Sequence, residues 1–406
     1  MQVHSWIPHS DVEVTNYIEE TGKRANFVSI QMSHYVPTEK SNVSRVRTGY
    51  EQIVAHRTKM PFAYAAEQDG KIEAIDENTK MVKIRYKDGK LVSVNYGSEY
   101  TSNAANGFFV DQEIAVNGFK PGDKVKRGDI VCYNRQFFTP DPYSKQVDWN
   151  IGVLTNVALL DNGNTIEDSS FVCQPLCDKL GFSPIATKDI TLTKDTNVHQ
   201  IARIGSMVRS TEPLMVFDQS AIGDTSYGTA DAELIQMLGD LNKATPKAEH
   251  SGEVVQIDVF YKCPFNELSK SLQTIVAAVS KLKNERAKFA ADTATANKFQ
   301  PNKPLVDSDR VGIVDLTDET VVFKFYIKQG KGLRVGDKVF YDSSLKSVVS
   351  RVVPESIEVE DKSITIDACT SARGILARII TSPFLVGIPT GILAKVEQDL
   401  IKIWEE

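Results

Sequence analysis

Cysteine is scarce and odd in number: Cys132, Cys173, Cys177, Cys263 and Cys369 are scattered over 406 positions. Such a set excludes a disulfide framework and points to a reducing compartment. Cys173 and Cys177 form a CxxxC with no second pair to complete a zinc site, so a structural role is expected for both. Histidine is sparse too, six residues with no HExxH and no cluster. No apolar run approaches the roughly 20 residues that cross a bilayer. The opening MQVHSWIPHSDVEV lacks the basic and apolar regions of a secretion signal. These absences predict a soluble, intracellular protein with no membrane partner. A glycine-rich nucleotide loop, a serine elbow and the kinase motif set are also missing, so no self-contained enzyme is named.

Positive charge is in deficit. The net charge of −6 gives no general polyanion-binding signal, so any nucleic-acid contact must come from local basic patches or a partner chain.

What is present is mostly β with some α. Short β-branched runs broken by Gly, Asp and Asn dominate, and Lys80–Tyr86, Lys-Asp-Gly, Lys90–Tyr96 reads as a hairpin with one wet and one dry face. Residues 119–131 carry two Gly-Asp turns around a short strand, a pattern shared with biotin and lipoyl carriers; the nearest carrier-type lysine is Lys80, beside Met81. Helical periodicity appears in three places. Residues 229–241, TADAELIQMLGDL, space Leu234, Ile235, Leu238 and Leu241 along one face. Residues 264–297 read as one long helix with Leu268, Leu272, Ile275, Val276, Val279 and Leu282 in a stripe, and Lys281, Lys283, Arg286 and Lys288 in its second half. Residues 391–404 form an amphipathic C-terminal stretch.

Two stretches carry chemistry. An apolar strand from Val157 runs through Asn162-Gly-Asn and ends in the adjacent carboxylates Glu167 and Asp168. Further on, Val335-Gly-Asp-Lys338 is followed eight residues later by Lys346. Taken singly, these are a surface acidic pair and two surface lysines.

Taken in order, with Ile204–Val216, His250–Phe260, Val321–Lys338 and Val348–Glu355, they resemble the β subunit of multisubunit DNA-directed RNA polymerases. Five weak motifs colinear over roughly 250 residues are unlikely to coincide by chance. The resemblance runs from about residue 60 to 380. It is closest in kind to giant-bacteriophage polymerases, whose β and β′ equivalents are divided among several chains, and it implies the C-terminal part of such a β subunit. Two departures stand out. The turn before Glu167 is one residue shorter than the family's and lacks its aromatic residues. Between the lysines, Val-Phe-Tyr-Asp-Ser-Ser-Leu replaces a basic, glycine-rich turn, with Asp342 placing a negative charge there.

The fold implied is a double-psi β-barrel built from residues about 110–175 and 310–365, with a flap domain inserted between. The resulting organisation is a fork-like N-terminal segment (1–60), a first part of the core (61–175), a flap-like insertion (176–309, tip helix 229–241, helical arm 264–297), a second part with the lysines (310–385) and a C-terminal helix (386–406). Lys338 and Lys346 are expected in the active centre facing the RNA 3′ end and the incoming triphosphate. Glu167 and Asp168 are expected near the nucleotide and its Mg2+, reached through water. Arg378, eleven residues after Asp367, and Arg373 are rival triphosphate-binding positions. The family's Asn-Ala-Asp-Phe-Asp-Gly-Asp run is absent, so Mg2+ must be ligated mainly by a β′-like partner and this chain is inert alone. Leu234, Ile235, Leu238 and Leu241 are the expected contact for a promoter-specificity factor. Other β and β′ fragments, template DNA, RNA and nucleoside triphosphates complete the implied partners, in an infected bacterial host; packaging in the virion stays open. The alternatives are a non-catalytic β-rich phage structural or scaffold protein, and a carrier-type sandwich hybrid.

Overall fold

Turn chemistry repeats along this chain. In the computed structural model, which describes residues 2–4, 38, 41–47, 49–103, 108–150, 152–218, 243–299, 310–312, 314–330, 332–341, 345–358, 365–377 and 382–405, three Gly-Asp turns share one construction. The aspartate carboxylate accepts from the backbone N–H three residues earlier: Lys120 to Asp123, Lys126 to Asp129 and Arg334 to Asp337, each at 2.8 Å. Gly122, Gly128 and Gly336 hold φ of +97°, +89° and +93°, the left-handed region that only glycine enters freely.

Beside β1 (Gly70–Asp76), the hairpin comprises β2 (Met81–Tyr86) and β3 (Leu91–Asn95), with Val82 opposite Val94 and Ile84 opposite Val92. The expected wet face is missing from β3, where Val92, Ser93, Val94 and Asn95 are all buried. Lys80 lies with its ammonium 5.8 Å from the centre of the Tyr96 ring. The chain continues through β4 (Phe108–Val116), β5 (Val157–Leu159), β6 (Ser169–Cys173), the short helix α1 (Gln174–Lys179), β7 (Pro184–Thr193) and β8 (Gly252–Tyr261). Helix α2 (Lys270–Ala290) and β9 (Thr320–Lys328) follow, then β10 (Lys338–Tyr341), β11 (Leu345–Val353), β12 (Ala368–Thr370), α3 (Ala372–Ala377) and α4 (Ser382–Glu405).

Among the described residues, β4, β7, β8 and β9 belong to an eight-stranded sheet, while β5, β12, β6, β11 and β10 make a five-stranded one in that order. The strands of residues 110–175 and 310–365 thus do not gather in one sheet, because β4 and β9 pair through β7 rather than with β6 or β11.

Helix α2 is shorter than its periodicity suggests. Ser269 caps it by accepting from the Leu272 amide at 3.3 Å, and the Thr293 hydroxyl takes the Ala290 carbonyl at 2.7 Å at the other end. Leu268, Leu272 and Val276 pack against Ile257, Val259, Phe323 and Phe325 of the large sheet, with Ile275 and Val279 at the margin. Leu282, expected in the stripe, stays 43% exposed. The basic half of α2 braces the fold: Lys283 pairs with Asp258, and Arg286 Nε donates to the Thr79 carbonyl at 2.8 Å.

The C-terminal helix begins at Ser382, earlier than its amphipathic stripe, and carries Pro389 in its interior. No helix among the described residues is long and apolar enough to cross a membrane. Residues 229–241, with Leu234, Ile235, Leu238 and Leu241, lie outside the described residues, as do Asp342 and Arg378.

Candidate functional site

The five-stranded sheet joins segments far apart in sequence. β6 and β11 run parallel with Ser169 beside Val348, and β10 runs antiparallel to β11 with Lys338 opposite Val348 and Phe340 opposite Lys346. Lys338, Val348 and Ser169 therefore form one row across three strands, about 10 Å from end to end at the usual strand spacing.

Burial alternates along both lysine strands. Val339, Tyr341, Leu345, Ser347 and Val349 are buried, whereas Lys338, Lys346 and Val348 are exposed. Both lysines thus occupy the wet face, on diagonal positions within reach of a shared ligand.

The carboxylates lie at one end of this sheet. Glu167 precedes Ser169 by two residues, and Lys346 precedes Val348 by two, so both stand where the parallel pair begins. β5 and β12 finish at that same end, with Leu159 beside Thr370 and Ser170 beside Thr370. They deliver Asp161 and Arg373, whose Oδ2 and Nε are 3.5 Å apart; the Ser371 hydroxyl donates to Asp161 Oδ1 at 2.7 Å. Sequence reasoning missed Asp161, whose only signal was its place at the start of the turn.

The turn between Asp161 and Ser169 is tightly held. Thr165, fully buried, donates its hydroxyl to the Leu160 carbonyl at 2.6 Å and accepts from the Asn162 amide at 2.9 Å. Glu167 adopts φ +57°, a conformation that costs an ordinary L-residue about 1–2 kcal/mol. Its side chain and that of Asp168 are exposed.

Beneath this wet end the sheet is dry. Burial pushes the Tyr341 phenol up to about 12 and the Cys177 thiol up to about 11, and the Cys369 thiol upward as well. No thiol here is poised as a nucleophile. Charge-based chemistry at the surface is what the arrangement can perform: two ammonium groups, two adjacent carboxylates and one guanidinium. Among the described residues no group of three or more His, Cys, Asp or Glu is placed to hold a metal ion. Leu160 and Ile166, on the same end, are 56% and 66% exposed.

No protein-family model matches the chain. It is similar to the DNA-directed RNA polymerase subunit beta from two strains of Thermus thermophilus, each 21% identical over 364 residues, 89% of this chain and 29% of the relative. The subunit of the same name from Orientia tsutsugamushi is 27% identical over 220 residues, 53% of this chain and 15% of the relative. The chain spans less than a third of the length of these relatives, and it is polymerase-β-like.

Proposed function

We propose that this chain contributes one wall of the nucleotide-addition centre of a multisubunit DNA-directed RNA polymerase, as the C-terminal part of a β subunit divided among several chains of the giant-bacteriophage type. The observation that carries this reading is the single exposed sheet end where Glu167 and Asp168 meet the strand bearing Lys346, with Lys338 on the next strand. Similarity to polymerase β subunits over 89% of the chain supports it.

RNA synthesis is in-line attack of a 3′-hydroxyl on a nucleoside triphosphate. Negative charge grows on the phosphoryl oxygens and the departing pyrophosphate, and fixed cations there lower the barrier. Lys338 and Lys346 are suited to this as compact point charges on flexible stems, anchored to a rigid sheet. Mg2+, when bound, neutralises phosphate charge and orients the reacting oxygens. Glu167 and Asp168 fit as outer ligands acting through water, since two exposed carboxylates alone do not enclose a cation. The remaining ligands belong to a β′-like partner, and exposed Leu160 and Ile166 beside the carboxylates suit coverage by such a chain. Arg373, held by Asp161, is the described candidate for the triphosphate, with Arg378 its rival.

In this reading the five-stranded sheet belongs to a double-psi barrel, the strands between β6 and β9 belong to a flap, and residues 229–241 meet a promoter-specificity factor. Template DNA, RNA and nucleoside triphosphates are the other partners. The test is reconstitution. A chain bearing the Asn-Ala-Asp-Phe-Asp-Gly-Asp run should co-purify with this one, and the assembly should extend RNA on an RNA–DNA scaffold only when both are present. Extension without this chain would exclude the reading.

A further inference from the structure

Serine hydroxyls fasten the carboxylate turn to the lysine strand. Ser350 Oγ lies 2.6 Å from the Asn164 carbonyl and 2.9 Å from the Ser170 carbonyl; its single proton serves the nearer acceptor. Ser347 Oγ donates to the Asp168 carbonyl at 3.0 Å and lies 2.6 Å from Ser170 Oγ, both serines being buried. The Val348 amide donates to that same Asp168 carbonyl at 2.8 Å.

Ser350 holds its place through an irregularity of the sheet. Ser170 pairs with Val349 and Phe171 with Arg351, so Ser350 is the extra residue of a bulge in β11. A bulge leaves one residue unpaired and interrupts the ladder locally. Ser350 keeps the exposed-face alternation of Lys346 and Val348, and from that face its hydroxyl reaches the Asn164 carbonyl, three residues before Glu167. Glu167 at φ +57° is a strained backbone, and such strain persists only where the surroundings over-determine it.

We propose that Ser350, with Ser347, is a positioning residue: it holds the 162–168 turn against β11 and so sets the aim of Glu167 and Asp168 relative to Lys346. This rests on the function proposed above for the carboxylates. Ser350 touches no reacting group itself, and its effect is felt only through the turn.

Two nearly isosteric variants of the full chain isolate the hydroxyl: Ser350→Thr keeps it and Ser350→Val removes it, both with side chains suited to a strand. In the isolated chain, exchange of the Thr165 and Val348 amides should quicken by roughly fivefold in Ser350→Val, the size of one net hydrogen bond, and stay near wild type in Ser350→Thr. In the reconstituted polymerase, Ser350→Val should raise the nucleotide and Mg2+ concentrations needed for half-maximal rate by ~3–10-fold while leaving the saturated rate within about twofold, an effect on positioning rather than on the chemical step. Adding Ser350→Val to the Glu167→Ala, Asp168→Ala double variant should change nothing further, because Ser350 acts only through these two carboxylates. Equal exchange in the Thr and Val variants overturns the clamp, whatever the enzyme does. Faster exchange with unmoved nucleotide and Mg2+ dependence overturns the positioning role. A silent Glu167→Ala, Asp168→Ala double variant overturns it together with the proposed role of the carboxylates, a failure distinguishable from the first because the exchange difference would remain.

Discussion

Lys338 stands opposite Val348 in the β10–β11 pair, and Val348 in turn donates its amide to the Asp168 carbonyl at 2.8 Å. One residue thus links the lysine strand to the carboxylate turn. Neither segment holds this geometry alone, so substitutions on either side of Val348 should be read out in the same assay.

Removing a preorganised cation from a water-excluded centre typically costs on the order of 10²-fold. Lys338→Ala and Lys346→Ala should each leave assembly intact and lower nucleotide addition by ~10²-fold or more, measured as single-nucleotide extension on a preformed scaffold. Full activity in the double variant would eliminate the active-centre assignment.

Glu167 offers a case where stability and activity part. Glu167→Gly relieves the left-handed backbone and should stabilise the isolated chain by about 1 kcal/mol, observed as a higher denaturation midpoint. The same variant should weaken extension chiefly at limiting nucleotide or Mg2+, and less than loss of either lysine. A fall in stability would mean that the Glu167 side chain holds the turn together.

Asp337 should matter structurally rather than catalytically. Its carboxylate accepts from the Arg334 amide at 2.8 Å, and the Gly336 and Val349 amides complete the turn before Lys338. Asp337→Ala should destabilise the chain by about 1.5–3 kcal/mol in urea unfolding, the range for a hydrogen bond to a charged group. Asp337→Asn, which retains an acceptor, should recover most of that loss.

The apolar stripe of residues 229–241 supplies a test of the partner surface. Leu234→Asp with Leu238→Asp should abolish promoter-directed initiation in the reconstituted enzyme while sparing elongation on a preformed scaffold. Equal loss in both assays would assign these leucines to the domain's own core.

The sequence by itself determined what depends on near neighbours. The Gly-Asp turns, the hairpin around Lys87-Asp88-Gly89 and the buried stripe Leu268, Leu272, Val276 follow from left-handed glycines, β-branched runs flanking a glycine turn and period-3.6 spacing, all local. The order of motifs carrying Glu167, Asp168, Lys338 and Lys346 was also legible, and with it the likeness to polymerase β subunits. Alternation tells a strand which face is dry, but not which strand lies beside it. Only the tertiary structure decided that β6 pairs parallel with β11, that β4 and β9 go to a different sheet, and that Lys283 and Arg286 brace the fold rather than form a free basic arm. It alone revealed Ser350 in a bulge under the Asn164 carbonyl and Asp161 against Arg373. These are side-chain contacts between segments roughly 180 to 210 residues apart. Such contacts are fixed by packing and register, and no local propensity encodes them.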